Sequence, residues 1–121
     1  MSDSRRRLGQ AGEQMAADLL AGKGYQIVAR NWRSGRSGEI DLVAQDGPTR
    51  VIVEVRTRRG QVYGSAEESV TSSKQARLAV LAEAYSASVG WQGPLRIDVV
   101  AISLSGDGRM QEIRHIIDAV G

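Results

Sequence analysis

Two carboxylates dominate the reading of this chain: Asp41 in GEIDLVA and Glu54 in VIVEVRTRR, each set within an apolar β-type run. Ionised side chains are seldom buried without a partner or a metal. A connection over residues 46–49 pairs Gln45 with Arg50, which places Asp41 opposite Glu54 and Glu39 opposite Arg56. Carboxylates directly across two strands repel, by ~0.2–1 kcal/mol when solvated and more when desolvated. A hard divalent cation offsets that repulsion, because Mg²⁺ favours one or two carboxylates completed by water and phosphate oxygens. The backbone carbonyl of Val55 is a further oxygen ligand in reach of such a site. The competing arrangement is a solvated sheet face on which Arg50, Arg56 and Arg58 neutralise the acids. The apolar character of the strand and the arginines that follow it, where a phosphate backbone would pass, favour the metal.

These residues need a hairpin to hold them. Residues 38–45 alternate polar and apolar, DGPT supplies a turn, and residues 50–57 return as the second strand. Ile40 then meets Val55, Leu42 meets Val53 and Ala44 meets Val51, so the hairpin is expected to bury one face and collect charge on the other. Before it, residues 8–22 show helical spacing of Leu8, Met15 and Leu19, ended by the glycines of GKGY, and residues 25–32 read as a strand followed by the connector SGRSG. After it come the loop RRGQVYGS and a helix over residues 71–89, capped by Thr71 or Ser72, with Leu78, Leu81 and Tyr85 on one face. Strands over residues 95–104 and 110–114 follow, with HIIDAV as a last helical turn. The expected fold is α/β: a mixed sheet of four or five strands flanked by helices, with both main helices on the apolar side.

At 121 residues a single domain with one core is expected, residues 1–7 forming a flexible basic arm. The absence of cysteine removes disulfide frameworks and thiolate metal sites and suits a reducing, cytoplasmic setting. No apolar run reaches the ~18 residues of a membrane span, and MSDSRRRLGQ lacks the apolar core of a secretory signal. The net charge of +2 is unevenly spread: residues 1–36 carry +4, 37–55 carry −3, 56–60 carry +3 and 61–121 carry −2. An acidic island between basic flanks suits a polyanion partner with a cation in the middle. Fourteen of the sixteen basic residues are Arg, the others being Lys23 and Lys74.

GEIDLVA followed by VIVEVRTR resembles the metal-binding core of the PD-(D/E)xK, restriction-endonuclease-like nucleases. More narrowly, the run GQAGEQMAADLL, GYQIVARNWR, GEIDLVA, VEVRTRR, YGSAEESV leading to Lys74, RIDVV and HIIDAV resembles the bacterial YraN-like family, related in fold to archaeal Holliday junction resolvases. The resemblance implies that Asp41 and Glu54 ligate Mg²⁺ or Mn²⁺, that Glu13 on the first helix completes the acidic cluster, and that the chain hydrolyses phosphodiester bonds in nucleic acid, branched or structured DNA being the expected substrate. By analogy with junction-resolving relatives it also implies a homodimer.

One residue departs from the nuclease pattern. Where that pattern has lysine, this chain has Arg56, whose guanidinium stays charged and can clamp phosphate but is a poor proton acceptor. Lys74 is the candidate to supply an amine from another direction. Arg58, Arg59 and Arg36 are candidate phosphate contacts. Glu39 fits either an ion pair with Arg56 or a place behind the ligands. His115 and Asp98 read as structural, Asp98 pairing with Arg96 or Arg77 at a strand edge, and Trp32 and Trp91 as packing. Two rival readings remain: a nucleic-acid-binding module that has lost turnover, and a protein-interaction domain.

Overall fold

A computed structural model describes residues 2–59 and 71–120, with side chains from Arg7 onward. The elements are α1 (Ser2–Gly22), β1 (Gln26–Ser34), β2 (Gly38–Asp46), β3 (Thr49–Arg59), α2 (Ser72–Val89), β4 (Leu95–Leu104) and β5 (Met110–Ile116). The segment YGSAEESV, and with it most of the expected loop RRGQVYGS, lies outside the described residues. The strands form one mixed sheet in the order β1-β2-β3-β4-β5. β1, β2 and β3 are an antiparallel meander, β4 lies parallel to β3, and β5 is antiparallel to β4. A parallel neighbour cannot be reached by a tight turn, and the β3–β4 connection accordingly contains α2.

The helices lie on opposite faces, which corrects the expectation of a single apolar side. Ala16, Ala17 and Leu20 of α1 pack on Leu42, Ala44, Val51, Val53, Val100, Ile102 and Leu104. Leu78, Leu81, Ala82 and Tyr85 of α2 pack on Ile40, Val43, Ile52 and Ile97. β3 is therefore covered on both sides, which is why Val51, Ile52 and Val53 are consecutive and all buried. Truncating a fully buried side chain such as Leu81 to Ala costs about 2–5 kcal/mol.

Local chemistry sets the ends of the elements. Thr71 Oγ1 accepts from the Lys74 N–H at 3.3 Å, and Gly90, at φ 69°, closes α2. Thus α2 and β4 occupy the expected ranges. α1 begins at Ser2, so Arg5, Arg6 and Arg7 belong to its first turns rather than to an arm preceding it. The C-terminal helical turn does not form. β5 continues to Ile116, and the chain then turns so that the Ala119 N–H reaches the Ile97 carbonyl and the Asp118 N–H reaches Asp98. Asp98 is fully buried in β4, between β3 and β5, and accepts also from Arg96 (2.9 and 3.0 Å) while pairing with His115 Nε2 (2.7 Å). That network sits inside the sheet, not at an edge. No helix among the described residues is long and apolar enough to cross a membrane.

Candidate functional site

The β2–β3 register runs from Asp46↔Thr49 to Leu42↔Val53, as counted from the sequence, and stops one step short of Asp41 and Glu54. Beyond that step β2 continues with β1 (Trp32↔Ile40, Arg33↔Glu39) and β3 continues with β4 (Glu54↔Val99 onward). The sheet thus forks. At the fork the Val55 N–H donates to Asp41 Oδ2 at 2.8 Å, a carboxylate taking the place of a main-chain acceptor. In a strand the N–H and C=O of one residue point the same way, so the Val55 carbonyl is turned toward the fork as well.

β1 and β2 bend together at this level. Leu42 and Ala44 face α1, yet Ile40 joins the α2 cluster with Trp32, a break in the two-residue alternation centred on Asp41. In β1 the pairs Arg30↔Leu42 and Trp32↔Ile40 flank Asn31, whose φ of 51° is left-handed. Asn tolerates that region better than most residues. Its side-chain Nδ2 donates to Glu13 Oε1 at 3.0 Å, anchoring the helical carboxylate to the sheet. Gly12 makes the approach of α1 possible, since a Cβ there would collide with Thr57 Oγ1.

Three carboxylates from three elements are each held by one oxygen. Asp41 Oδ2 has Val55, Glu13 Oε1 has Asn31, and Glu54 Oε2 faces Arg77 Nη2 at 3.2 Å and Arg56 Nη1 at 3.8 Å. Burial pushes the Asp41 carboxyl up to about 7; the Val55 N–H opposes this, and the charges of Glu54, Glu13 and Glu39 add to it. Asp41 therefore sits in a field that a cation would relieve. The residues that could hold Mg²⁺ or Mn²⁺ here are Asp41, Glu54 and the Val55 carbonyl, all hard oxygen donors. Among the described residues no three carboxylate or imidazole side chains stand grouped to share one ion, so Asp41, Glu54 and Glu13 do not close into the expected acidic cluster.

A cleft of about 270 Å³ between α1 and β3 brings Glu13, Val55, Arg56 and Arg58 together with Leu8, Gly9 and Thr57. Arg56 is largely buried, and its Nη2 is enclosed without a hydrogen-bond partner. Arg58 and Arg59 are exposed at the end of β3, and Arg36 is exposed on the β1–β2 turn. Lys74 lies in the first turn of α2, one turn before Arg77.

Several expected pairings differ. Glu39 pairs with Arg33 of β1 at 3.3 Å rather than with Arg56, because the fork ends the ladder that would have put it opposite Arg56. Arg50 lies away from the carboxylates, its guanidinium over the Trp91 ring at 4.2 Å and on the Tyr85 hydroxyl at 2.6 Å. Arg77 pairs with Glu54, and Arg96 is the residue that holds Asp98. Trp32 packs edge-on against Tyr85. Arg77 and Asn31 were not among the expected site residues; the position of Arg77 three residues after Lys74, and the tolerance of Asn for positive φ, were the available signals.

Comparison with known proteins gives a consistent family. The model of the uncharacterised protein family UPF0102 matches residues 12–102. A UPF0102 protein of Symbiobacterium thermophilum is 55% identical over 107 residues, covering 88% of this chain and 90% of that protein. One from Herpetosiphon aurantiacus is 52% identical over 96% and 98% of the two chains, and one from Roseiflexus castenholzii 49% identical over 99% and 98%. The chain belongs to the UPF0102 family, the YraN-like family that its motifs resemble.

Proposed function

We propose that the chain is a metal-dependent endonuclease of the PD-(D/E)xK type, related to the Holliday junction resolvases, that hydrolyses phosphodiester bonds in structured DNA. The observation that carries the reading is the fork: the β2–β3 ladder gives way where Asp41 takes the Val55 N–H, and the charge of Glu54, the residue before Val55 on β3, is felt at the Asp41 carboxyl. When bound, a divalent cation supplies Lewis acidity to a phosphoryl oxygen and acidifies water. Asp41, Glu54 and the Val55 carbonyl would hold it. Glu13, held by Asn31 in the cleft between α1 and β3 that Val55 also lines, would take a proton from water entering by that cleft. Arg56, lining the same cleft, steadies charge developing on phosphate, while Arg58, Arg59 and Arg36 attract the backbone and Lys74 is the candidate amine. A homodimer would present two such sites to two strands.

A second reading, a binding module without turnover, is favoured by Arg56 itself, a permanent cation where the nuclease pattern has lysine. Cleavage assays with Mg²⁺ or Mn²⁺ on four-way junction, duplex and single-stranded DNA separate the two. The endonuclease reading expects cutting by the parent that Asp41→Ala or Glu54→Gln stops. A parent that binds DNA with steep salt dependence but cuts none of these, and gains cleavage through Arg56→Lys, is the module. Binding insensitive to ionic strength would refute both.

A further inference from the structure

Glu54 Oε2 serves two guanidinium groups at once, and they are held very differently. Arg56 projects from the same strand two residues on; its side chain is 25% exposed, and its Nη2 is enclosed. Arg77 reaches across from the second turn of α2, is the closer at 3.2 Å, and is 47% exposed. One cation is built into the sheet, and the other rests on the carboxylate with water as its alternative.

A divalent ion placed on Glu54 adds two positive charges beside both arginines. Ion pairs as solvated as Arg77–Glu54 are weak, whereas like charges crowded onto one partly buried carboxylate repel strongly. The guanidinium with access to water is the one that yields. We propose that Arg77 is a displaceable counter-ion of Glu54: it neutralises the carboxylate in the metal-free chain, competes with a divalent cation for it, and is released when that cation binds. This rests on the metal site proposed above and adds a regulation of its occupancy. Arg77 is thereby a positioning residue of the apo state, and the affinity for metal is set partly on α2, outside the carboxylate strands.

The test is calorimetric titration of Mn²⁺ into the parent, Asp41→Asn, Arg77→Met and Arg77→Gln, with folding checked by circular dichroism. Uptake by the parent and its loss in Asp41→Asn establish the site. Both Arg77 variants are then expected to bind Mn²⁺ about two- to fivefold more tightly, the range set by a half-exposed ion pair. A second measurement needs no variant fold: in the parent, the Arg77 side-chain Nε–H resonance shifts during Mg²⁺ titration with the midpoint of binding, while that of Arg56 moves less. Unchanged or weaker Mn²⁺ affinity in both Arg77 variants, or an Arg77 resonance unmoved at Mg²⁺ saturation, overturns the proposal and leaves the metal site standing. No uptake by the parent overturns the metal site and this proposal with it.

Discussion

Replacing Asp41 by Asn removes a charge that its buried, acidic surroundings disfavour. The carboxyl titrates at about 7 in the folded chain against an ordinary 3.8, because burial and three acidic neighbours disfavour its ionised form. A pKa raised on folding means that the native state binds more protons than the unfolded state between the two values, so this group's contribution to stability falls as pH rises from about 4 to about 7 and is flat above. At ~1.4 kcal/mol per pH unit the whole shift is about 4 kcal/mol, and the unsatisfied Asn Nδ2 reduces the expected gain to about 2–4 kcal/mol. Asn Oδ1 can still accept from the Val55 N–H, so the fork itself is preserved. Urea unfolding at pH 4, 5.5, 7 and 8.5 in chelator reads the effect. Parent and variant are expected to have nearly equal midpoints at pH 4, with the variant ahead by about 1–2 M urea at pH 8.5 for an m-value of about 2 kcal/mol/M. A difference that does not grow with pH, or a variant less stable at pH 8.5, would refute the electrostatic account of the site.

Two glycines of α1 separate helix propensity from packing: Gly9→Ala, with nothing in the way of a Cβ, should stabilise the protein by about 0.5–1 kcal/mol, whereas Gly12→Ala should destabilise it by about 1–2 kcal/mol as the collision with Thr57 outweighs the same propensity gain, both read by thermal unfolding. Asp98→Ala should cost about 3 kcal/mol by taking the buried acceptor from His115 and the Asp118 N–H and one carboxylate from Arg96, which keeps Asp46 and the Tyr25 hydroxyl. Burial alone would raise the Asp98 carboxyl, but its bonds to Arg96, the Asp118 N–H and His115 hold it below the usual range, so its stabilisation is present above about pH 4 and fades under stronger acid; the variant should lack that part of the acid limb in unfolding experiments from pH 2 to 5.

Much of the scaffold is readable from local chemistry. The Thr71 cap and Gly90 delimit α2, and the short turn at Gly47 and Pro48 sets the β2–β3 register that puts Asp41 and Glu54 at one level. The two-sided burial of β3 was signalled by three consecutive apolar residues, Val51 to Val53, but the charged alternation further along the strand masked it. The fork was beyond reach of a register count, because a count assumes that the ladder continues; only the competing acceptor at Asp41 and the bend at Asn31 end it. Partners of long side chains were the least legible. Arg77 reaches Glu54 and Arg96 reaches Asp98, and which arginine serves which acid depends on how α2 lies over the sheet.

A hairpin zipped to its end would fix the gap between two facing side chains at the strand spacing. Here the two acids belong to different hydrogen-bonded blades, β1–β2 on one hand and β3–β4–β5 on the other, joined near the turn and parted at the mouth. Flexing the blades changes the gap without breaking a ladder bond. The Val55 N–H to Asp41 Oδ2 bond is what ties the blades across the mouth, so the carboxylate that the proposed metal site uses also governs how far the two blades part.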